Sequence, residues 1–340
     1  MLHVGMDVHQ QSTTFCILDG KTGDTKIFTC PTSAEAFGRV LEPLNRRCQV
    51  TFEVGPQAQW VARTVRPLAA KVVVANPALI PWLYRSGRKN DRLDAEKLAR
   101  LLYLGQLPTV HLPPEDVSLW RELIQYRRRL INEQSRIKNR IHALLHSEAL
   151  RCPHRSCWTR AGRAWLRSLV FAQARQVVMR DLFRRLDDTQ QSVRTVEREL
   201  DTIAAQQPLV RPLRTIPGIG PRTAEAIVAF TDDPRRFRDR KHYASYFGVT
   251  PTEHSSGSVQ RHGRISRRGP SVVRWVLAEA VHQAVRHSGV VRAYYERLCR
   301  GRSDRRKKAL VGTARKLLTV CFALLRDGTT FDPARFQRVA

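Results

Sequence analysis

The first 110 residues alternate in a way that leaves few folds open. Three short runs of β-formers, residues 2–8, 13–19 and 25–30, are joined by turn-rich links at His9 to Ser12 and at Gly20 to Asp24, the pattern of an antiparallel meander. A helix is expected over 33–44, a fourth strand over 49–54, a second helix over 57–68 and a fifth strand over 71–75. Pro77 opens a short helical turn, and a further helix follows at Asp91. The order βββαβαβα predicts an α/β domain with a mixed sheet flanked by helices. In such a sheet the first and fourth strands can lie side by side at the centre, with the last helix packed across them.

That last helix has an unusual face. Asn90 or Asp91 can cap it, and Ala, Glu, Lys, Leu and Arg follow, all good helix formers. At about 100° per residue, Asp94, Leu98, Leu101 and Leu102 all fall within about 80° of Asp91. Both carboxylates therefore sit on the apolar side, while Arg92, Glu96, Lys97 and Arg100 take the other. The plainer reading makes Asp91 a cap and Asp94 a first-turn acid that favours the helix dipole. Two further acids decide between the readings. Asp7 lies in the first strand, in Val-Gly-Met-Asp-Val, and Glu53 closes the fourth, in Thr-Phe-Glu-Val-Gly. Acids are uncommon in such apolar runs, although either one alone could be a strand-end residue facing water. Together, Asp7, Glu53, Asp91 and Asp94 are placed to converge. Four acids around one point need cations, and two Mg²⁺ (or Mn²⁺) ions about 4 Å apart are the usual solution in phosphodiester chemistry.

Charge names the class of partner. The chain of 340 residues has 59 Lys plus Arg against 30 Asp plus Glu, a formal charge of +29. Residues 1–110 account for +5 of this and residues 111–340 for +24. Such an excess points to a polyanion. No apolar run approaches the ~18–20 residues that cross a bilayer, and the start does not read as a signal peptide, so nucleic acid is favoured over a membrane and a cytoplasmic, nucleoid-associated protein is expected. Seven scattered cysteines suggest free thiols rather than a disulfide framework. Cys152 to Cys157 could be half a zinc site, but no convincing second half follows.

Beyond residue 110 the pattern is helical. Over 115–150, Leu123, Leu130, Ile137 and Leu144 recur every seven residues, with Arg121, Arg127, Arg128, Arg129, Arg136, Lys138 and Arg140 between them. Over 175–206, Met179, Leu182, Leu186, Val193, Val196, Leu200 and Ile203 keep a 3–4 spacing. The two stripes predict an all-α antiparallel helical hairpin or coiled coil over 111–207. From 208 to 340 a mainly α domain is expected. It opens on Leu213 to Ile227, a helix-hairpin-helix signature in which Gly218 and Gly220 permit a tight turn and, with Arg222, can hold a DNA phosphate. Helices are expected over 235–247, 271–288, 289–300 and 304–326, with fraying from Asp327. Between them, residues 248–269 form a long glycine-punctuated loop in which Arg261, Arg264, Arg267 and Arg268 surround several serines. A serine attacks a phosphodiester only if its proton is taken and the phosphate charge is held. The arginines could meet the second need, so residue types alone give a phosphate-gripping loop.

The spacing Lys89-Asn-Asp91-Arg-Leu-Asp94-Ala-Glu-Lys-Leu-Ala resembles the K-x-D-x-x-D-A-x-x-L-A motif of an insertion-sequence transposase family that includes the Piv-type invertases. Residues 1–110 look like that family's RuvC-like domain, of RNase H fold, with a D-E-D-D set. Gly248-Val-Thr-Pro251, then Ser256-Gly257, then Gly263 to Gly269, resemble its C-terminal transposase domain. The resemblance implies that a serine just before glycine is the nucleophile. This maps onto Ser256, with Ser255 the alternative because of the doublet. It further implies a DNA recombinase with a covalent phosphoserine link, a dimer or tetramer, and guidance by a structured bridge RNA. Three rivals remain: a RuvC-like nuclease that uses water, a non-catalytic nucleic-acid-binding protein, and an actin-like ATPase. The last is disfavoured because the His9-Gln-Gln-Ser turn lacks phosphate-loop glycines.

Overall fold

The structure is a computed structural model and describes residues 1–79, 90–253 and 262–338. The chain divides into two compact units, Met1–Glu115 and Asp116–Ala340.

The first unit is built on five strands: β1 (Leu2–Val8), β2 (Ser12–Asp19), β3 (Thr25–Pro31), β4 (Cys48–Glu53) and β5 (Lys71–Ala75). Their order in the sheet is β3-β2-β1-β4-β5. β1 pairs antiparallel with β2 and parallel with β4, so the first and fourth strands are neighbours at the centre of a mixed sheet, as expected. Successive strand side chains point to opposite faces. Val4 and Met6, Phe15, and Val50 and Phe52 share one face. There they form a core with Phe37 and Leu41 of α1 (Ala34–Leu41) and Val61 and Val65 of α2 (Ala58–Val65). Gly5, Asp7, Thr51 and Glu53 fall on the other face by the same alternation. That face is covered by α3 (Asp91–Tyr103), whose Ala95 and Ala99 pack on Cys16 and Leu18 of β2.

The seat of α3 depends on one residue. A Cβ at Gly5 would lie 2.1 Å from the carbonyl oxygen of Ala95 and 2.6 Å from the backbone nitrogen of Ala99. Helix and strand backbones therefore touch where Gly5 and two alanines meet. The Asn90 side chain accepts a hydrogen bond from the Arg92 N–H at 3.0 Å and caps the helix, so the Asp91 carboxylate is not the cap.

The second unit opens on α4 (Glu115–Ser147), followed by α5 (Arg160–Ser168) and α6 (Gln173–Ala205). α5 lies in the link that the sequence left without an element. α4 and α6 pack antiparallel, but the seam on α4 is shifted from the expected heptad stripe: Leu130 and Ile137 are buried in it, Leu123 and Leu144 are only half-buried, and Trp120, Ile124, Ile141 and Leu145 are buried beside them. Ile137, Ile141 and Leu145 meet Met179, Leu182 and Leu186, and Trp120, Ile124 and Leu130 share a core with Val193, Val196 and Leu200. The ion pairs Glu148–Arg175, Glu133–Arg185 and Arg127–Glu197 run in the same opposed order.

The remaining helices are α7 (Val210–Leu213), α8 (Pro221–Thr231), α9 (Arg240–Tyr246), α10 (Ser271–His287), α11 (Gly289–Cys299), α12 (Arg306–Asp327) and α13 (Pro333–Arg338). They close on Ile227, Tyr243, Phe247, Leu277, Leu317 and Cys321. Two short antiparallel strands, β6 (Pro251–Glu253) and β7 (His262–Ile265), precede α10. The expected fraying after Asp327 is corrected. Phe336 is buried against the Tyr294 and Phe331 rings, and the Phe331 N–H donates to the Thr215 hydroxyl at 2.8 Å, which ties the segment down. Among the described residues no helix is long and apolar enough to cross a membrane.

Candidate metal centre

Asp7 stands at the end of β1 and Glu53 at the end of β4. Because these strands are parallel, and Met6 pairs with Phe52, both acids leave the sheet at the same edge and on the face that α3 covers. The first turn of α3 adds Asp91 and Asp94. The turn after β1 adds a fifth group, His9. Its Nε2 lies 3.3 Å from an oxygen of Asp7 and 3.5 Å from an oxygen of Asp91. Among the described residues these three form the one group of potential ligand atoms that lie within 4.8 Å of one another. Asp94 is mostly buried and is held at 3.4 Å by Lys97, one helical turn on.

Electrostatics show a site short of positive charge. The Glu53 carboxyl is pushed up to about 7, first by burial and then by the nearby charges of Asp7 and Asp94. Asp7 is also raised. Burial is the main cause, His9 opposes it, and Asp91 and Asp94 add to it. Lys97 and a histidine thus leave Asp7 and Glu53 under-compensated. The Nε2 of His9 is buried and lacks a partner with hydrogen-bond geometry. A buried nitrogen between two carboxylates and a carboxyl forced toward neutrality form surroundings that a divalent cation would complete, so the residues fit one.

With this geometry in hand, the chain can be compared with known proteins. The DEDD transposase model of the IS110 type matches residues 4–148, and the model described as transposase IS116/IS110/IS902 family matches residues 210–296. The chain belongs to the IS110/IS116/IS902 transposase family. It is 28% identical over 306 residues to a "Probable family 20 transposase" of Pseudomonas aeruginosa, covering 87% of this chain and 88% of that one. It is 23% identical to the transposase of insertion sequence element IS1111A of Coxiella burnetii, over 96% of this chain and 90% of that protein. A shorter likeness, 31% over 122 residues, joins it to the pilin gene-inverting protein of Moraxella lacunata, covering 35% of this chain and 38% of that one. As an IS110-family transposase, the chain is an enzyme of DNA transposition, and its DEDD domain suggests use of a divalent metal.

The other expected site residues fare differently. Ser255, Ser256 and Arg261 lie outside the described residues. Arg264, Arg267 and Arg268, which follow them, are exposed. Gly218 has a φ of 85°, but its missing Cβ is also needed inside the unit, since one there would lie 2.4 Å from the Ala280 carbonyl oxygen of α10. Gly220 is the N-cap of α8, and the helix before this turn, α7, has only four residues. Arg222 is committed inward, donating to the Glu197 carbonyl and pairing with Asp201 and with Glu225, which is 1% exposed. Several arginines from the stripe of α4 are likewise internal. Arg121 donates to the Ala229 and Phe230 carbonyls, and Arg128 lies 3.5 Å over the Trp275 ring. The cysteines are free, and among the described residues no zinc-like cluster forms around Cys152 and Cys157.

His9 is the residue that sequence reasoning missed. A single histidine in a polar turn carries no periodic signal. Its one clue was its place two residues beyond an acid that ends a central strand.

Proposed function

We propose that this transposase cuts DNA by serine attack at a centre held by Asp7, Glu53, Asp91 and Asp94, and rejoins the strands between partners. The observation that carries the reading is the convergence of acids from the ends of two parallel central strands and the first turn of α3, in a chain of this family. The four acids would hold Mg²⁺ or Mn²⁺, and such an ion would polarise the scissile phosphate and offset its charge. The protein's own groups do the rest. The Ser256 hydroxyl, or that of Ser255, attacks phosphorus. A serine–phosphate bond forms and the bond to the outgoing strand breaks. That strand end leaves as a hydroxyl and takes up the proton the serine gives up. The freed end can then attack the partner's serine–phosphate link, so bond energy is not lost to water. Exposed Arg264, Arg267 and Arg268 suit phosphate contacts beside the serines, as do Arg261 and the Gly218–Gly220 turn. The +24 of residues 111–340 suits DNA together with a structured guide RNA, and a dimer or tetramer would bring two such sites together.

The test traps the link. Purified chain, DNA carrying the element's ends and Mg²⁺ should give a denaturant-resistant protein–DNA adduct. Ser256→Ala should lose the adduct and keep nucleic-acid binding. An adduct that persists in that variant moves the nucleophile to Ser255 or elsewhere. Cleavage without any adduct makes the enzyme a water-using nuclease. Asp94→Asn with full metal-dependent cleavage would sink the role of the acids.

A further inference from the structure

We infer that His9 is a nitrogen donor to the metal centre, and that it biases the centre toward a transition ion such as Mn²⁺ over Mg²⁺. This rests on the metal reading above and adds a residue outside the D-E-D-D set.

The His9 N–H donates to the Ser12 carbonyl at 3.0 Å, which closes the turn between β1 and β2. The His9 carbonyl accepts from the Thr32 hydroxyl at 2.9 Å, and that hydroxyl is bonded to Thr13 at 2.8 Å. Both backbone groups of His9 are thus fixed, and the ring is delivered to a set place.

At that place Nε2 is buried and unaligned with either acid, yet within 3.5 Å of both. A histidine serving only as an ion-pair partner would align an N–H with one carboxylate. Donor spacing gives the alternative. Ligand atoms about 2.1 Å from an octahedral ion lie about 3.0 Å apart along an edge. The observed separations of 3.3 and 3.5 Å need only a small inward shift to reach that edge. His9 therefore stands at near-ligand spacing from each acid, and all three potential ligand atoms lie within 4.8 Å of one another.

The donor set then determines the preference. Carboxylates and water suit Mg²⁺, which is hard and gives up its waters reluctantly. An imidazole nitrogen is a softer donor and gains more with a first-row transition ion. Removing it should cost Mn²⁺ binding and leave Mg²⁺ almost untouched.

The experiment titrates the full chain with Mn²⁺ and with Mg²⁺ separately, by calorimetry, and records electron spin-echo modulation on the bound Mn²⁺. The wild-type protein should bind Mn²⁺ more tightly and show coupling to a ¹⁴N nucleus. His9→Ala should lose that coupling and weaken Mn²⁺ by roughly tenfold, the scale seen when a group supporting a metal site is lost. Its Mg²⁺ affinity should stay within about twofold, and its circular dichroism should not change. His9→Gln should lose the ¹⁴N coupling as well. Mn²⁺ bound without nitrogen coupling, or an equal loss for both ions, overturns the role of His9 and leaves the acids as the metal site. A wild-type chain that binds neither ion overturns the metal reading itself.

Discussion

Replacing Gly5 with alanine tests whether the packing of α3 on β1 sets the metal centre. The added Cβ would start 2.1 Å from the Ala95 carbonyl oxygen and 2.6 Å from the Ala99 nitrogen. Both are backbone atoms, so no side chain can rotate out of the way. Relief requires the helix to rise from the sheet, and an ordinary contact of about 3.4 Å is reached only after a shift of at least roughly 1.3 Å. Overpacking of this kind costs about 1–3 kcal/mol. Asp91 and Asp94 ride on the first turn of the same helix, while Asp7 is anchored two residues from the substitution. A misplacement of about 1 Å at a reacting centre costs on the order of a hundredfold in rate. The assay is metal-dependent strand cleavage beside thermal unfolding, with Mn²⁺ affinity as a third readout. Gly5→Ala should fold with a lowered melting temperature, bind metal more weakly and cleave about a hundredfold more slowly. A variant that keeps wild-type metal affinity and cleavage within twofold would refute the idea that this contact positions the acids.

Other perturbations probe different parts of the molecule. In metal-free protein, Glu53 keeps its proton up to about 7 when folded but loses it near the ordinary 4.5 when unfolded. Stability should therefore fall as pH rises from 4.5 toward 7, by about 1–3 kcal/mol after allowance for solvent screening. Chemical denaturation in chelator should show this slope in the wild type and lose it in Glu53→Gln. Arg222→Ala removes the ion-pair partner of Glu225, whose carboxyl burial already pushes up to about 7, and should cost about 1–3 kcal/mol in stability; a loss of DNA affinity with unchanged denaturation would return Arg222 to the phosphate contacts. Lys316 is 6% exposed, has no hydrogen-bond partner, and lies 5.2 Å from the Phe336 ring. Burial holds its amine below the ordinary lysine range. Lys316→Met should raise the melting temperature at neutral pH, a gain on the order of 1 kcal/mol, and a lower melting temperature would give the amine a structural role.

The sheet was readable from sequence because its signals are local. The strands of residues 2–8, 13–19 and 49–54 are runs of buried β-formers bounded by turns, and their order admits few connections. Asp7 and Glu53 stood out because a carboxylate is costly in such a run. Asp91 and Asp94 stood out because helical periodicity put them with Leu98. Direction of use was harder to read. Arg121, Arg127, Arg128 and Arg222 look like phosphate contacts in a basic chain, yet each is satisfied internally by a carbonyl, an acid or a ring supplied from far along the sequence. His9 depends on the return path through Thr32 and on the seat of α3. Phe336 is anchored by Tyr294, about forty residues earlier, and no local pattern announces that.

The three segments that supply the centre leave the ribosome at different times. β1 and its turn bring Asp7 and His9 first, β4 brings Glu53 next, and Asp91 and Asp94 arrive only with α3, after β5 has joined the sheet edge. A partly made or clipped chain that stops short of α3 holds two acids and a histidine with no second carboxylate pair facing them. The full set of acids is thereby coupled to completion of the domain, since no fragment that ends before α3 carries it.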